Sequence, residues 1–300
     1  VLKSFPLGRM FMKAFEKIFD RIDVTNYNYK KLIIFPLILV LLSVIILATQ
    51  GVNLGVDLRG GTLATVQGVE YTPEIQNYLI TNLGDSTIKV RSIFSPITEG
   101  FIVETGPDVD SAKLISLINQ RYPDVAISVQ NIGPSLGASF LKQGTQAVLF
   151  AFLFMAIIVF IAFRMPIPSG AVVFSAFSDM LIALAFMSVA GIELSRYTIA
   201  AVLMLIGYSV DTDILLTARV LKDKGDTINE GVRNAMKTGL TMTFTTLAAL
   251  AALYIFSTSD VLDDIAIVLI FGLIGDLMMT WLFNAGVLKW YAIRRKGGVN

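Results

Sequence analysis

Four aspartates stand where a polypeptide rarely places charge. Asp179, Asp211, Asp213 and Asp276 each lie within a long apolar run, and an acid at bilayer depth costs on the order of 2.5–3.5 kcal/mol on insertion scales. Acids kept at that cost are candidates for function. Grouped in an apolar medium, carboxyl groups can exchange protons or hold a cation between them. The chain has no His and no Cys, which removes His-dependent triads, disulfides, thiol nucleophiles and the common zinc sites. Acid–base work therefore falls to Asp, Glu, Lys or Tyr, and neither a catalytic residue, a metal site nor a cofactor is expected.

Each acid keeps small or polar company. Ser175 precedes Asp179 by four positions and Ser178 abuts it; Gly207 precedes Asp211 by four. Ser209, Asp213 and Thr217 form one four-spaced row, and Gly272, Asp276, Thr280 and Asn284 form another. Thr238, Thr241 and Thr245 share one face of a further apolar run. Small residues let helices approach closely, and hydroxyls satisfy a carboxyl or hold water, so the spacing predicts one polar core shared by several helices. Asp211 and Asp213 are about 200° apart around a helix, so at most one faces Asp179 while the other faces a neighbouring subunit or water. Arg219, two turns along nearly the same ridge as Asp211, either snorkels to the headgroups or pairs back toward the acids.

The helices that must carry these residues are legible from composition. The chain is 300 residues long, 55% hydrophobic and only 16% charged, with a mean hydropathy of +0.71; a soluble domain carries about 25% charge. A bilayer core needs roughly 20 apolar residues in helical form. Such stretches run approximately 32–50, 145–163, 170–190, 197–218, 240–256 and 265–288. At about 1.5 Å per residue, Asp179 lies ~13 Å into span three, Asp211 ~12 Å into span four and Asp276 ~18 Å into span six, all from the same side.

The formal charge of +1 hides a segregation. Lys and Arg gather before span one (Lys3, Arg9, Lys13, Lys17, Arg21, Lys30, Lys31) and between spans two and three (Arg164). They recur between spans four and five (Arg219, Lys222, Lys224, Arg233, Lys237) and after span six (Lys289, Arg294, Arg295, Lys296). Basic residues mark cytoplasmic loops, so both termini are expected in the cytoplasm of a multi-pass protein of the cell membrane. The first span is read as an anchor rather than a cleaved signal. Residues 1–31 form an amphipathic leader: Phe11, Ala14, Phe15, Ile18 and Phe19 follow helical spacing opposite Lys13, Glu16, Lys17, Asp20 and Arg21. Such a helix lies in the membrane interface or packs on the bundle. Residues 291–300 form a basic cytoplasmic tail, and 144–290 hold the five later spans. Thr227 and Glu230 have the spacing of a capping box that opens an amphipathic helix through Lys237.

Residues 51–143 are the one stretch long enough to fold outside the membrane. An alternating strand at 62–67 is followed by a helix from Thr72-Pro73-Glu74 to about Leu83, then strands at 87–94 and 100–105. A helix capped by Asp110 or Ser111 runs to Arg121, and a last strand spans 125–132. The order β-α-β-β-α-β is that of the ferredoxin-like split unit. The expected fold is thus a six-helix α-helical membrane protein with one external α+β domain between helices one and two. Gly60-Gly61 beside Asp57 and Arg59 lacks the spacing of a phosphate loop and reads as a tight junction.

Three functions fit grouped intramembrane acids: an ion-coupled machine, an intramembrane aspartyl protease, or acids that only bind helices together. The Gly-x-Gly-Asp expected of the protease is absent: Asp211 follows Tyr208-Ser209-Val210, and Asp276 follows Gly275.

The chain resembles the SecD/SecF family of protein-export membrane subunits, within the resistance-nodulation-division superfamily. Gly55-Val56-Asp57-Leu58-Arg59-Gly60-Gly61-Thr62 looks like the family's Gly-Gly word after the first span. Ile206-Gly207-Tyr208-Ser209, followed by acids and then Arg219, looks like its fourth-span signature, and Ser178-Asp179 takes the place of its His-Asp. There are departures. Ala218 replaces the acid before the family's Arg, no His precedes Asp179, and Asp276 stands where bacterial relatives carry an uncharged residue. These point to an archaeal-type branch, and the short external domain favours the SecF side. The resemblance implies half of a pseudosymmetric twelve-span unit. It also implies a SecD partner in a heterodimer, the Sec translocation channel as client, a preprotein substrate, surrounding lipid, and no nucleic acid. Work would come from an ion gradient, protons first and sodium second, through Asp179, Asp211, Asp213, Asp276 and Arg219. The supporting polar face would be Ser175, Ser178, Ser209, Thr217, Thr241, Thr245 and Thr280. The other readings are a half-transporter moving a lipid or small hydrophobic solute, and a non-conducting scaffold for SecD.

Overall fold

The computed structural model describes residues 29–93, 99–123, 125–221, 227–257 and 259–295. The amphipathic pattern at 11–21 and the last residues of the basic tail lie outside the described residues. The chain builds two units, a helical bundle and an α+β domain inserted after the bundle's first helix, and their surfaces differ in polarity.

The α+β domain is built on period-two alternation. Strands β1 (Gly61–Gln67), β2 (Lys89–Ile93), β3 (Gly100–Thr105) and β4 (Ala126–Ile132) form one sheet in the order β2-β3-β1-β4. All three pairings are antiparallel, with Val66 opposite Phe101 and Ala64 between Val103 and Val129. Successive side chains point to opposite faces, so Ala64, Val66, Val90, Phe101 and Val103 turn to one face and meet the apolar stripes of two helices. Those are α3 (Glu74–Leu83), through Ile75 and Leu79, and α4 (Ser111–Arg121), through Leu114 and Ile118. Each pair is four apart, the spacing of one helical face. Asp110 caps α4 by accepting the Ala112 N–H at 2.9 Å. The helix at α3 starts one residue later than Thr72-Pro73 suggested, because Pro73 is itself the flanking residue, and the Thr72 hydroxyl lies 3.3 Å from that of Tyr122 instead. The topology is the ferredoxin-like one expected.

Among the described residues, the bundle comprises six helices long and apolar enough to cross a membrane. They are α1 (Tyr29–Gln50), α5 (Pro134–Phe163), α6 (Pro166–Ala190), α7 (Arg196–Leu221), α8 (Ile228–Phe256), and a last rod of α9 (Asp260–Met278), a π-helical segment (Met279–Asn284) and α10 (Ala285–Arg295). A one-turn helix, α2 (Val56–Arg59), joins α1 to the sheet. The long helices overrun the apolar stretches read from sequence. α5 begins eleven residues before position 145, with Pro134 in its first turn after Gly133, since hydropathy marks where a helix is apolar rather than where it starts. α8 likewise begins at the capping box, where Thr227 and Glu230 pair reciprocally, so the amphipathic piece through Lys237 and the following span are one helix. α10 carries the last rod to Arg295, past position 291 where a tail was expected.

Burial sorts these helices into two layers: α6, α7 and the last rod are the most enclosed, and α1, α5 and α8 lie outside them. The side chains at the centre are small. A Cβ on Gly272 would run into the Leu205 side chain, and one on Gly275 would meet Ile182 Cγ2 at 3.0 Å. Glycine there lets α9 approach both α7 and α6 closely.

The two cores predict separable responses. Leu114→Ala removes a fully buried side chain from the α+β core and should cost about 2–5 kcal/mol there. In hydrogen-exchange mass spectrometry, residues 61–132 should lose protection while α6, α7 and α9 keep theirs.

Candidate functional site: a carboxylate cluster at the centre of the bundle

Three of the four aspartates meet. Asp179 on α6, Asp213 on α7 and Asp276 on α9 are each 0% exposed. Ser209 Oγ donates to Asp179 Oδ2 at 2.6 Å. Thr280 Oγ lies 2.9 Å from Asp213 Oδ1 and 3.0 Å from Asp276 Oδ1. Asn284 Nδ2 donates to Asp213 Oδ1 at 2.8 Å. Thr212 Oγ gives its stronger bond to its own helix, the Ser209 carbonyl at 2.8 Å, and stands 3.3 and 3.4 Å from the two oxygens of Asp276.

The donors are too few. A threonine hydroxyl has one hydrogen, so Thr280 serves Asp213 or Asp276 but not both at once. Among the described residues, Asp179 Oδ1, Asn284 Oδ1 and Thr217 Oγ are buried without a hydrogen-bond partner. Among the described residues no salt bridge reaches any of the three acids. Isolated ionised carboxylates are not tolerated in such a medium; the cluster is electrically balanced only when protons or a cation accompany it.

The local backbone explains how Thr280 and Asn284 reach the same acid. In an α-helix, residues four apart drift about 40° around the axis, which would carry Asn284 off the face of Asp276. The π-helical segment Met279–Asn284 has a wider turn that undoes this drift. Such segments occur frequently at functional sites. The sequence row Gly272, Asp276, Thr280 and Asn284 showed the spacing, but nothing in it showed the change of helix type, and Thr212 stood only inside its acidic run.

The remaining residues singled out from sequence divide. Ser175, Ser209, Thr217 and Thr280 are buried with the acids. Ser178 is buried too, but its hydroxyl bonds the Phe174 carbonyl of its own helix at 2.8 Å. Thr241 and Thr245 are not part of a shared core: both are exposed on α8 and bond back to Lys237 and Met242 carbonyls at 2.7 and 2.8 Å. The hydroxyl face of α8 points away from α6 and α9 because Gly239, Leu240 and Thr243 occupy its inner side. Asp211 is exposed, on the opposite side of α7 from Asp213, as their ~200° separation requires. Arg219 is exposed further along α7.

Six apolar helices around a buried acidic centre, with a ferredoxin-like domain inserted after the first, define a multi-pass membrane protein. The family model described as protein export membrane protein SecD/SecF, C-terminal, matches residues 114–294, and the SecD/SecF GG motif matches residues 45–68. The protein-export membrane protein SecF of Pyrococcus furiosus is 48% identical over 276 residues, covering 89% of this chain and 93% of that one. Its counterpart in Methanocaldococcus jannaschii is 43% identical over 283 residues, covering 88% and 96%. The chain belongs to the SecD/SecF family and is of the archaeal SecF type. The crystal structure of SecDF from Thermus thermophilus, described as a translocon-associated membrane protein, shares the fold with a TM-score of 0.72 and 22% identity over 88% of this chain. This chain spans 38% of that one.

The hydrogen bonds make a prediction that the sequence alone does not. Thr280→Val removes the hydroxyl shared by Asp213 and Asp276 and should destabilise the purified protein by about 1–3 kcal/mol. Thr241→Val and Thr245→Val should stay within about 0.5 kcal/mol of the parent. Thermal unfolding followed by tryptophan fluorescence separates the two cases.

Proposed function

We propose that this chain is a subunit of the protein-export machinery of the cell membrane, in which protons moving through Asp179, Asp213 and Asp276 drive work by the α+β domain on an emerging preprotein. The observation that carries this reading is the cluster itself: three fully buried acids, without a salt bridge among the described residues and bridged by hydroxyls. A scaffold would be better served by apolar residues of the same size, because buried unpaired charge destabilises. Nothing in the reading makes or breaks a covalent bond. Its relatives bear the name protein-export membrane protein SecF, and the basic loops support a reading with both termini in the cytoplasm and the α+β domain outside.

The reading also assigns a role to Asp211. Met204, Gly207, Tyr208 and Asp211 are exposed along one face of α7, and a Cβ on Gly207 would meet nothing within 4 Å. An acid facing lipid at that depth is unfavourable, whereas a close-approaching helix of a SecD-type partner would cover both the glycine and the acid. Arg219 stands on the same exposed side, toward the cytoplasmic end. The Sec channel then receives the two-part complex.

The test is export of a reporter preprotein into vesicles containing this chain and its SecD partner, with and without an imposed proton gradient. The gradient should accelerate export for the parent; Asp179→Asn and Asp213→Asn should abolish that gain while the complex still assembles. Export that ignores both gradient and substitutions would leave only a scaffold. Separately, Gly207→Leu should weaken co-purification of the partner by about tenfold, on the order of 1.4 kcal/mol, without altering the fold of the isolated chain by circular dichroism.

A further inference from the structure

The Gly-Gly word after the first span has no part in the acid cluster, yet its surroundings are unusually specific. Asn53 O accepts the Leu194 N–H at 2.7 Å, and the Gly55 N–H donates to Leu194 O at 2.8 Å, so Leu54 and Leu194 form a parallel bridge. Asp57 Oδ2 accepts the backbone N–H of Arg196 at 2.8 Å and its Nε at 3.1 Å. Arg196 is the first residue of α7, so this carboxylate sits against the N–H end of that helix, where negative charge is favoured. Gly60 and Gly61 then turn the chain into β1 at φ 85° and 140°, values that side-chain-bearing residues rarely adopt. A Cβ on Gly60 would also meet Pro134 Cα at 2.9 Å, which wedges the word against the start of α5. The strand it enters, β1, is an interior strand of the sheet, paired to β3 and β4.

The same loop is held from a second direction. Alternation sends Val90 into the α+β core and leaves Lys89 and Arg91 on the other face of β2. Lys89 Nζ pairs with Glu193 Oε1 at 2.5 Å. Arg91 pairs with Glu104, and lies 3.9 Å from Glu193 Oε2 and 3.7 Å from Asp264 Oδ2. Glu104 and Glu193 are 4% and 6% exposed, while the side chains of Lys89 and Arg91 are 43% and 40% exposed, so the acids are enclosed and their bases are half open to solvent.

These ties fall on particular helices. Glu193 and Leu194 belong to the link between α6 and α7, Arg196 opens α7, and Asp264 lies in the first turns of α9. α6, α7 and α9 are the helices that carry Asp179, Asp213 and Asp276. We infer that the 53–61 segment and Arg91 form the mechanical joint that passes displacement of the acid-bearing helices to the α+β sheet, with Asp57 and Arg91 as its positioning residues. A helix is stiff along its axis, so a shift that begins at the acids reaches the helix end; there α9 meets the sheet through Asp264 and Arg91, the link between α6 and α7 meets it through Glu193, and α7 meets the 53–61 segment that leads into it through Arg196. The joint rests on the ion-coupled reading given above, and it assigns to the Gly-Gly word a coupling role distinct from proton handling.

The experiment uses the full chain with its SecD partner in vesicles and two readouts. One is gradient-driven export; the other is pH-dependent labelling of the buried aspartates by a hydrophobic carbodiimide, located by mass spectrometry. Asp57→Asn and Arg91→Gln should reduce the gradient-driven gain by about fivefold or more, within the range of coupling between distant sites, while labelling of the aspartates and assembly stay as in the parent. Arg91→Lys, which keeps the charge, should retain most of the gain. An unchanged gain in both Asp57→Asn and Arg91→Gln overturns the joint. So does a loss accompanied by altered labelling or failed assembly, because the residues would then only support the fold. A parent that responds to no gradient fails the functional reading itself, and the joint with it.

Discussion

Three carboxyl groups, each wholly removed from solvent and none matched by a base among the described residues, are held together at the middle of an apolar bundle. Charge in such a place is tolerated only when it is neutralised or paired, so the bundle is organised around keeping a protonatable or cation-holding centre enclosed. The arrangement of helices follows from that requirement. The helices with acids are the enclosed ones, the acid-poor ones wrap them, and glycines at 272 and 275 bring α9 near enough for one hydroxyl to lie within hydrogen-bond reach of two carboxyls. The π-helical segment belongs to the same logic, since it keeps Thr280 and Asn284 on the face that Asp213 occupies.

The α+β domain obeys a different solvent. Its core is an ordinary sheet-and-helix sandwich in which alternation and four-spacing agree, and its outward face of β2 is basic where the bundle's ends are acidic. Opposite charges at that boundary are half enclosed by the two units, where screening by salt is weaker than on an open surface. The domain is therefore attached by its chain, by backbone bonds at Leu194 and by the half-enclosed pairs of Lys89 and Arg91 with Glu193 and Asp264, a level of attachment that a free-swinging domain would not need.

The exposed and buried aspartates of α7 divide one short run between two tasks. Asp213 turns inward to Thr280 and Asn284, and Asp211 turns outward beside Gly207, on a face that presents polar and small groups to whatever lies next to it. The same helix thus contributes to the chain's own centre and to its outer surface. Two residues of spacing suffice for this, because a helix rotates about 100° per residue.

Much of this was legible in the residues. Spans, the ferredoxin-like order, the capping box at Thr227 and a polar centre shared by Asp179, Asp276 and one of Asp211 and Asp213 follow from hydropathy, periodicity and depth, all local properties of the chain. The words Gly60-Gly61 and Ile206-Gly207-Tyr208-Ser209 carried the family. What spacing could not decide was which face of each helix turns inward, because a period gives relative angles around an axis and not the direction of the neighbours. That is why Thr241 and Thr245 looked equivalent to Thr280 and are not, and why Asp211 could be separated from Asp213 but not placed. The π turn at Met279–Asn284, the full lengths of α5 and α8, and the meeting of Arg91 with Glu193 across 102 positions all depend on contacts between distant segments. Such contacts exist only once the helices have packed, and the tertiary structure alone decided them.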